Sequence, residues 1–338
     1  MIIQKEYSLK KLNTFGIDAQ AKLFAAFSTV DQLNEIVSDP AFSQLPKLIL
    51  GGGSNLLFTK NVDGIVLKNE LKGIELLRED ADFYYVKAAA GEVWHNLVMH
   101  CIAHDYAGLE NLSLIPGNVG ASPMQNIGAY GVEIKDCFQE LQAFHIKEKT
   151  IQTFNREACE FGYRESIFKR KLKDQYVITS VTFRLNKKPV YKISYGAIEK
   201  ELEQMGATQL SIRAISNAVC AIRRSKLPDP LVIGNAGSFF KNPEVNKLKY
   251  EQLQQKFPGI IGYSLENGHV KLAAGWLIEK CGWKGKRVGD AGVHALQALV
   301  LVNYGKASGK EIYNLSQQVM DSVADAFDVQ LEREVNIL

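Results

Sequence analysis

A chain of 338 residues exceeds what a single hydrophobic core usually holds, so two or three domains are expected. Hydrophobic residues at 46% and charged residues at 23% are the proportions of an ordinary globular protein, and a net charge of +3 is too small to argue for a nucleic-acid surface. No apolar run reaches the roughly 18 residues that span a bilayer, and Met1-Ile2-Ile3-Gln4-Lys5-Glu6 lacks the basic start and apolar stretch of a signal peptide, so a cytoplasmic protein is expected.

No internal repeat or low-complexity segment interrupts the chain. Thr29-Val30-Asp31-Gln32 has the form of a capping box opening a helix through Val37. Lys47-Leu48-Ile49-Leu50 reads as a buried strand running into Gly51-Gly52-Gly53-Ser54-Asn55, after which Leu56-Leu57-Phe58-Thr59 looks extended. Gly64–Leu67 and Phe83–Val86 read as further strands, and Val93–His104 as a helix. Residues 107–131 carry little charge and many glycines. A loop of this length is usually functional or disordered, and Ile115, Val119, Ile127 and Tyr130 argue against disorder.

Strands return near Leu141–Ile146 and Tyr176–Leu185, and Ser211–Arg224 looks helical. Lys226-Leu227-Pro228-Asp229-Pro230 breaks that helix and is the best domain boundary. Leu272–Cys281 reads as a helix stopped by Gly282. Ser308-Gly309-Lys310-Glu311 is a second capping box, followed by Ile312, Leu315, Val319, Val323 and Phe327 as one apolar stripe. Residues 329–335 alternate like a strand, and the mix of elements is α+β.

Two residue types that often carry chemistry do not point to a site. The five cysteines are spread without a Cys-x-x-Cys pair and read as buried small hydrophobes. His100 and His104 stand four apart on the expected helix, with His95 nearby. No carboxylate motif accompanies them, so no metal is expected.

The glycine loops do point to one. Gly51–Asn55 follows a strand, and glycines let backbone N–H groups approach an anion closely. It is not a dinucleotide fingerprint, because Leu56 stands where the third glycine belongs, and no Gly-Lys-Ser or Gly-Lys-Thr occurs. Alone it reads equally as a tight turn. The second loop, Ile115–Pro123 with Asn126–Gly131, offers many more backbone donors, and two such loops suit a long cofactor with a central diphosphate.

Further motifs give the chain a family resemblance. These are Asn13–Gly16, Gly108–Leu112, Phe161–Ser166, Lys226–Pro230, Gly234–Pro243, Leu272–Ile278 and Glu332–Val335. In order and spacing they resemble the UDP-N-acetylenolpyruvoylglucosamine reductase family, flavoenzymes of bacterial cell-wall precursor synthesis. The resemblance covers nearly the whole chain. It implies a vanillyl-alcohol-oxidase/PCMH-type FAD-binding domain of two subdomains plus a C-terminal α+β substrate domain. The implied limits are 1–72 with 328–338 returning to it, 73–223, and 224–327.

The same resemblance implies non-covalent FAD, NADPH as reductant and a UDP-linked enolpyruvyl amino sugar as substrate, with no nucleic-acid or membrane partner. Gly51, Gly52, Gly53, Ser54, Asn55, Pro116, Gly117, Ser122, Pro123, Gly128 and Tyr130 would bind the cofactor. Arg164 would grip the substrate carboxylate, Ser238 would donate a proton, and Glu334 would help stabilise an enolate. Tyr195, in Ile193-Ser194-Tyr195-Gly196, resembles the tyrosine of a substrate-closing loop. Tyr163, Lys226, Asn242 and Gln297 match nucleotide-sugar contacts. Arg223 and Arg224 add positive charge near Lys226.

Each assignment has a plainer reading. Arg164 could pair with Glu165, Ser238 could be a turn serine, Glu332 could be mistaken for Glu334, and the rest could be surface polarity. A serine hydrolase is disfavoured, since Ala236 and Phe240 occupy the glycine positions of a Gly-x-Ser-x-Gly elbow. Two alternatives remain on this fold: a flavin oxidase and a non-catalytic nucleotide-sugar sensor.

Overall fold

The computed structural model describes residues 2–195 and 197–338; Met1 and Gly196, the last residue of the tyrosine motif, lie outside the described residues. In chain order the strands are β1 (Gln4–Ser8), β2 (Gln20–Phe27), β3 (Lys47–Leu50), β4 (Leu56–Leu57), β5 (Val62–Asn69), β6 (Ile74–Glu79), β7 (Phe83–Ala89), β8 (Gly128–Ala129), β9 (Val132–Glu133), β10 (Phe138–His145), β11 (Thr150–Asn155), β12 (Tyr176–Asn186), β13 (Gly234–Ser238), β14 (Glu244–Asn246), β15 (Gly262–Ser264), β16 (His269–Leu272), β17 (Arg287–Val288), β18 (Ala291–Val293), β19 (Val300–Asn303) and β20 (Asn336–Ile337). The helices are α1 (Val30–Ser38), α2 (Trp94–Ala103), α3 (Ile198–Gln204), α4 (Ile212–Lys226), α5 (Lys247–Lys256), α6 (Ala274–Lys280) and α7 (Gly309–Phe327). Helices and strands are mixed along the chain, as the α+β reading requires.

The chain divides into two compact units. The first comprises residues 1–7, 21–52 and 62–225, and the second residues 8–20, 53–61 and 226–338. The border passes through the first glycine loop, between Gly52 and Gly53, and again just after Ser225, one residue before the end of α4.

In the first unit a four-stranded sheet runs in the order β1-β2-β5-β3, with β5 parallel to both β2 and β3. Leu33, Ile36 and Val37 of α1 cover it, packing with Ala25, Phe27, Ile65 and Leu67. The Thr29 side chain accepts from the Gln32 N–H as expected. The reciprocal bond goes elsewhere, because the Gln32 amide oxygen accepts from Ser28. A five-stranded antiparallel sheet, order β11-β10-β12-β7-β6, carries α2. Trp94, Leu97, Val98, Cys101 and Ile102 of α2 join Val86, Val181 and Phe183 in its core. Each such side chain contributes about 1.5–3 kcal/mol by leaving water.

In the second unit α7 presents the predicted stripe, with Ile312, Leu315, Val319, Val323 and Phe327 all buried. Its capping box is complete: Ser308 Oγ accepts from the Glu311 N–H, and the Glu311 carboxylate accepts from the Ser308 N–H at 2.7 Å. Two expectations are corrected here. Leu272 and Ala273 precede α6, because Leu272 pairs with Gly262 in the β15–β16 ladder. Residues 329–335 do not form a regular strand. Val329, Leu331 and Val335 are buried alternately as the pattern demanded, yet the segment pairs only through an isolated bridge between Arg333 and Phe240, and the ladder forms afterwards, where β20 runs parallel to β4.

All five cysteines are free, and burial pushes the Cys101 and Cys159 thiols up to about 12. His104 turns its Nδ1 to the His100 carbonyl at 2.8 Å and stacks on Tyr106. No described helix is long and apolar enough to cross a membrane.

Candidate active site

The two glycine loops touch in the first unit. A methyl group at Gly52 would fall 2.7 Å from Asn118 Oδ1 and 2.9 Å from Gly117 Cα, so only a hydrogen fits there. The second loop is braced from below. Trp94 N–H donates to the Gly117 carbonyl at 2.9 Å, and Asn118 Nδ2 donates to the Gly91 carbonyl at 2.8 Å. Ser122 is buried, and its hydroxyl donates to the Val119 carbonyl at 2.7 Å, so it holds the loop's own turn. Pro116, Pro123 and Gly128 lie on the same loop system. Two backbone-rich loops thus pack so closely that a Cβ would collide, and glycine loops rich in backbone N–H groups fit the diphosphate of a dinucleotide cofactor.

Tyr130 is held in the left-handed region at φ +50°, and its carbonyl accepts from Asn111 Nδ2 at 3.0 Å. The same Asn111 amide also donates to the Lys192 carbonyl at 2.7 Å, tying the second glycine loop to the segment that leads to Tyr195. The Tyr130 hydroxyl accepts from Arg223, while burial raises its pKa. Tyr195 itself is half exposed and lies against Gly131. His95 accepts the Leu114 N–H on Nδ1 at 3.0 Å; burial, then Arg224 and Arg223, push its pKa down, so the ring is neutral near pH 7.

Arg164 sits at φ +55° in a tight reversal closed by Gly162 and Glu165, whose N–H and carbonyl groups bond in both directions. Its guanidinium donates to the Gly128 carbonyl at 2.6 Å and faces the Tyr163 ring at 5.3 Å. The sequence motifs thereby bring Tyr163, Arg164, Gly128 and Tyr130 to one place. Sequence reasoning overlooked the residue that joins them. Asn126 is fully buried at φ +43°; its Nδ2 donates to the Gly162 carbonyl at 3.0 Å and to Glu133 Oε2 at 3.1 Å, and its Oδ1 accepts from the Lys135 N–H. An Asn beside a glycine loop is a signal for such a left-handed, locally bonded position.

In the second unit Ser238 ends β13, directly after Gly237 at φ +70°. Ser238 is therefore the last residue of a strand and not a turn residue. Phe239 and Phe240, which follow it, are buried. The Glu334 N–H donates to the Phe239 carbonyl at 2.8 Å, and the Lys241 N–H donates to the Glu332 carbonyl at 2.9 Å. These bonds lay the Glu334 segment beside the residues that follow Ser238.

The neighbouring acid is distinguished by its partner. Glu332 is largely exposed and pairs with the buried Lys241 ammonium at 2.6 Å, whereas Glu334 is half buried. Arg333 pins the segment to α7, donating to Ser316 Oγ at 2.8 Å and Gln317 Oε1 at 2.7 Å. From the first loop, Asn55 Nδ2 reaches the Glu334 carbonyl at 3.5 Å, and the Asn55 carbonyl accepts from Asn336. Gly53, at φ +65°, lies under the Leu12 carbonyl, and the Gly53 carbonyl accepts from the Thr14 N–H at 3.0 Å. Ser54 is half buried.

Asn242 and Gln297 meet at the start of α6. Asn242 Oδ1 accepts from the Ala274 N–H at 3.0 Å, capping a helix whose own N-cap residue, Ala273, cannot. A Cβ on Gly275 would lie 3.3 Å from Gln297 Oε1. Lys226 is exposed at the end of α4.

Residues 21–153 match the family described as FAD binding domain, and residues 229–338 match the UDP-N-acetylenolpyruvoylglucosamine reductase C-terminal domain. Over its whole length the chain is 51% identical to the UDP-N-acetylenolpyruvoylglucosamine reductases of Flavobacterium johnsoniae and Amoebophilus asiaticus, each covered completely. It is 48% identical to that of Pseudomonas aeruginosa over 99% of this chain and 98% of the relative. Among solved structures, the reductase of Thermus caldophilus superposes with a TM-score of 0.70 at 24% identity, covering 100% of this chain and 99% of that one, which shows a shared fold. The chain belongs to the UDP-N-acetylenolpyruvoylglucosamine reductase family.

Proposed function

We propose that this chain reduces UDP-N-acetylglucosamine enolpyruvate to UDP-N-acetylmuramate with NADPH as reductant and FAD as cofactor, in peptidoglycan precursor synthesis. The observation that carries this reading is kinship at 51% identity over the full length, in a chain whose two glycine loops are packed against each other. Bound FAD supplies the hydride chemistry. Gly51, Gly52, Gly53, Ser54, Asn55, Pro116, Gly117, Ser122, Pro123, Gly128 and Tyr130 would hold it.

Hydride arrival at the methylene carbon leaves negative charge next to the substrate carboxylate. Arg164 meets that carboxylate with a planar fork of donors. Glu334, in protonated form, stabilises the developing enolate, and Ser238 delivers a proton to the carbon beside the carboxylate. Buried Phe239 and Phe240 keep water from the serine's surroundings. Tyr195 closes over the substrate diphosphate, and Tyr163, Lys226, Asn242 and Gln297 hold the nucleotide-sugar. In functional terms the chain has three parts, 1–72 with 328–338, 73–223 and 224–327, and it works in the cytoplasm.

The test is an anaerobic flavin spectrum. NADPH should bleach the yellow form, and only the enolpyruvyl substrate should restore it. Bleaching without restoration discards the substrate, and a protein that takes up no FAD discards the whole reading. Within that assay Arg164→Ala should lower kcat/KM for the enolpyruvyl substrate by about 10²- to 10³-fold, the loss expected for a charge pair left half-made, with Arg164→Lys intermediate. An Arg164→Ala enzyme with unchanged kcat/KM would remove Arg164 from substrate binding.

A further inference from the structure

Lys68 was not among the residues the sequence motifs singled out, and its surroundings are unlike those of Lys47 and Lys241. It is the next-to-last residue of β5, in register with Leu50, the last residue of the parallel strand β3. Its ammonium is thus delivered to the carboxyl end of a parallel strand pair, at the point where β3 runs into the first glycine loop. In open sheets with parallel strands, ligands gather at that end. The ammonium donates to the Gly51 carbonyl, the first carbonyl of the loop. The side chain is half buried, and that burial holds its pKa below the ordinary lysine value. Glu70 acts on it only at a distance, and no carboxylate is in ion-pair contact with it among the described residues.

An ammonium has three donors, and withdrawing it from water is costly unless they are used. Lys47 answers this with three carbonyls, of Phe42, Ser43 and Leu45. Lys241 answers it with the Glu332 carboxylate at 2.6 Å. Even the exposed Lys72 has both a carbonyl, that of Gly91, and a carboxylate, that of Glu92. Lys68 has one carbonyl and two donors left over, beside a loop whose packing against Gly117 and Asn118 suits an anion.

We propose that Lys68 is a phosphate ligand, its ammonium contacting the cofactor diphosphate held by the first glycine loop. This rests on the FAD reading above. The Gly51 carbonyl orients the ammonium before the cofactor arrives, and the anion then completes the donors that protein atoms leave unused.

The test is FAD binding to stripped protein, followed by quenching of flavin fluorescence. Lys68→Met should weaken FAD about tenfold or more, the effect of losing one charge-assisted hydrogen bond, and should flatten the salt dependence of binding. Lys68→Arg should keep most of the affinity. The melting temperature of the stripped Lys68→Met protein should equal or exceed that of the parent, since an ill-satisfied charge has been removed. In flavin-saturated enzyme the KM for NADPH should not change.

Unchanged FAD affinity in a folded Lys68→Met protein would overturn the proposal. So would a lowered melting temperature of the stripped protein with FAD affinity intact, because Lys68 would then only brace the loop. A raised KM for NADPH with FAD affinity intact would overturn it in favour of the reductant's phosphates. If the unmodified protein takes up no FAD, the cofactor reading itself fails and this proposal with it. Should Lys68→Met not fold, Lys68→Gln carries the same expectation.

Discussion

Ser238→Ala is expected to slow restoration of the yellow flavin by the enolpyruvyl substrate by about 10²- to 10⁴-fold, the usual worth of a general acid, while NADPH bleaches the enzyme at the unmodified rate. The split follows from chemistry, since the proton that Ser238 is proposed to supply is needed only after hydride has reached the substrate. The substitution removes one oxygen from a residue whose backbone is already held: Ser238 pairs with Val300 in the β13–β19 ladder, and the Phe239 N–H donates to the Leu299 carbonyl at 2.7 Å. The fold should therefore survive. Rapid-mixing absorbance of the two half-reactions decides the matter, and an equal slowing of both would mean that Ser238 shapes the site without supplying the proton.

The second large effect is expected at Gly53. Its φ of +65° already disfavours any side chain, and a Cβ would lie 1.9 Å from the Leu12 carbonyl oxygen and 3.0 Å from Asn13 Cα, both backbone. Neither neighbour can move away cheaply, because Asn13 is buried and its side chain bonds the Leu9 and Ile17 carbonyls at 2.8 and 3.0 Å. Gly53→Ala should cost about 2–4 kcal/mol and loosen FAD binding with it. Gly16 supplies the control. It has nearly the same φ, +66°, with nothing within 4 Å of its Cβ position, so Gly16→Ala should cost only about 1 kcal/mol. Denaturant unfolding of the two proteins compares them directly, and equal losses would show that φ alone, and not the Leu12 carbonyl, sets the requirement for glycine.

Asn126 and Lys68 show where reading the sequence stopped. Asn126 lies within the second glycine loop, and Lys68 stands one residue beyond the expected strand Gly64–Leu67, where β5 continues to Asn69. Neither role could be read there. Asn126 works through Gly162 and Glu133, and Lys68 through Gly51, partners brought within reach by sheets and loops whose register no local pattern states. The closing segment gives the same lesson for the fold. Alternation at Val329, Leu331 and Val335 correctly named the buried side chains, but burial on one side does not create a strand partner. Only the arrival of Phe240 opposite Arg333, and of Leu56 and Leu57 beside Asn336 and Ile337, decided where hydrogen bonds form.

By itself the sequence determined what depends on near neighbours along the chain. That includes the caps at Thr29 and Ser308, the buried stripe of α7, the break after α4, the glycine loops and, through its ordered motifs, the family. Such signals act over three or four residues, or through whole motifs. The tertiary structure decided what depends on distant ones. It joined Arg164 to Gly128, laid Glu334 rather than Glu332 beside Phe239, and left one lysine of the first loop's surroundings without a carboxylate. These pairings cross long stretches of chain, and their free energies come from burial and hydrogen-bond geometry that exist only once the sheets have closed.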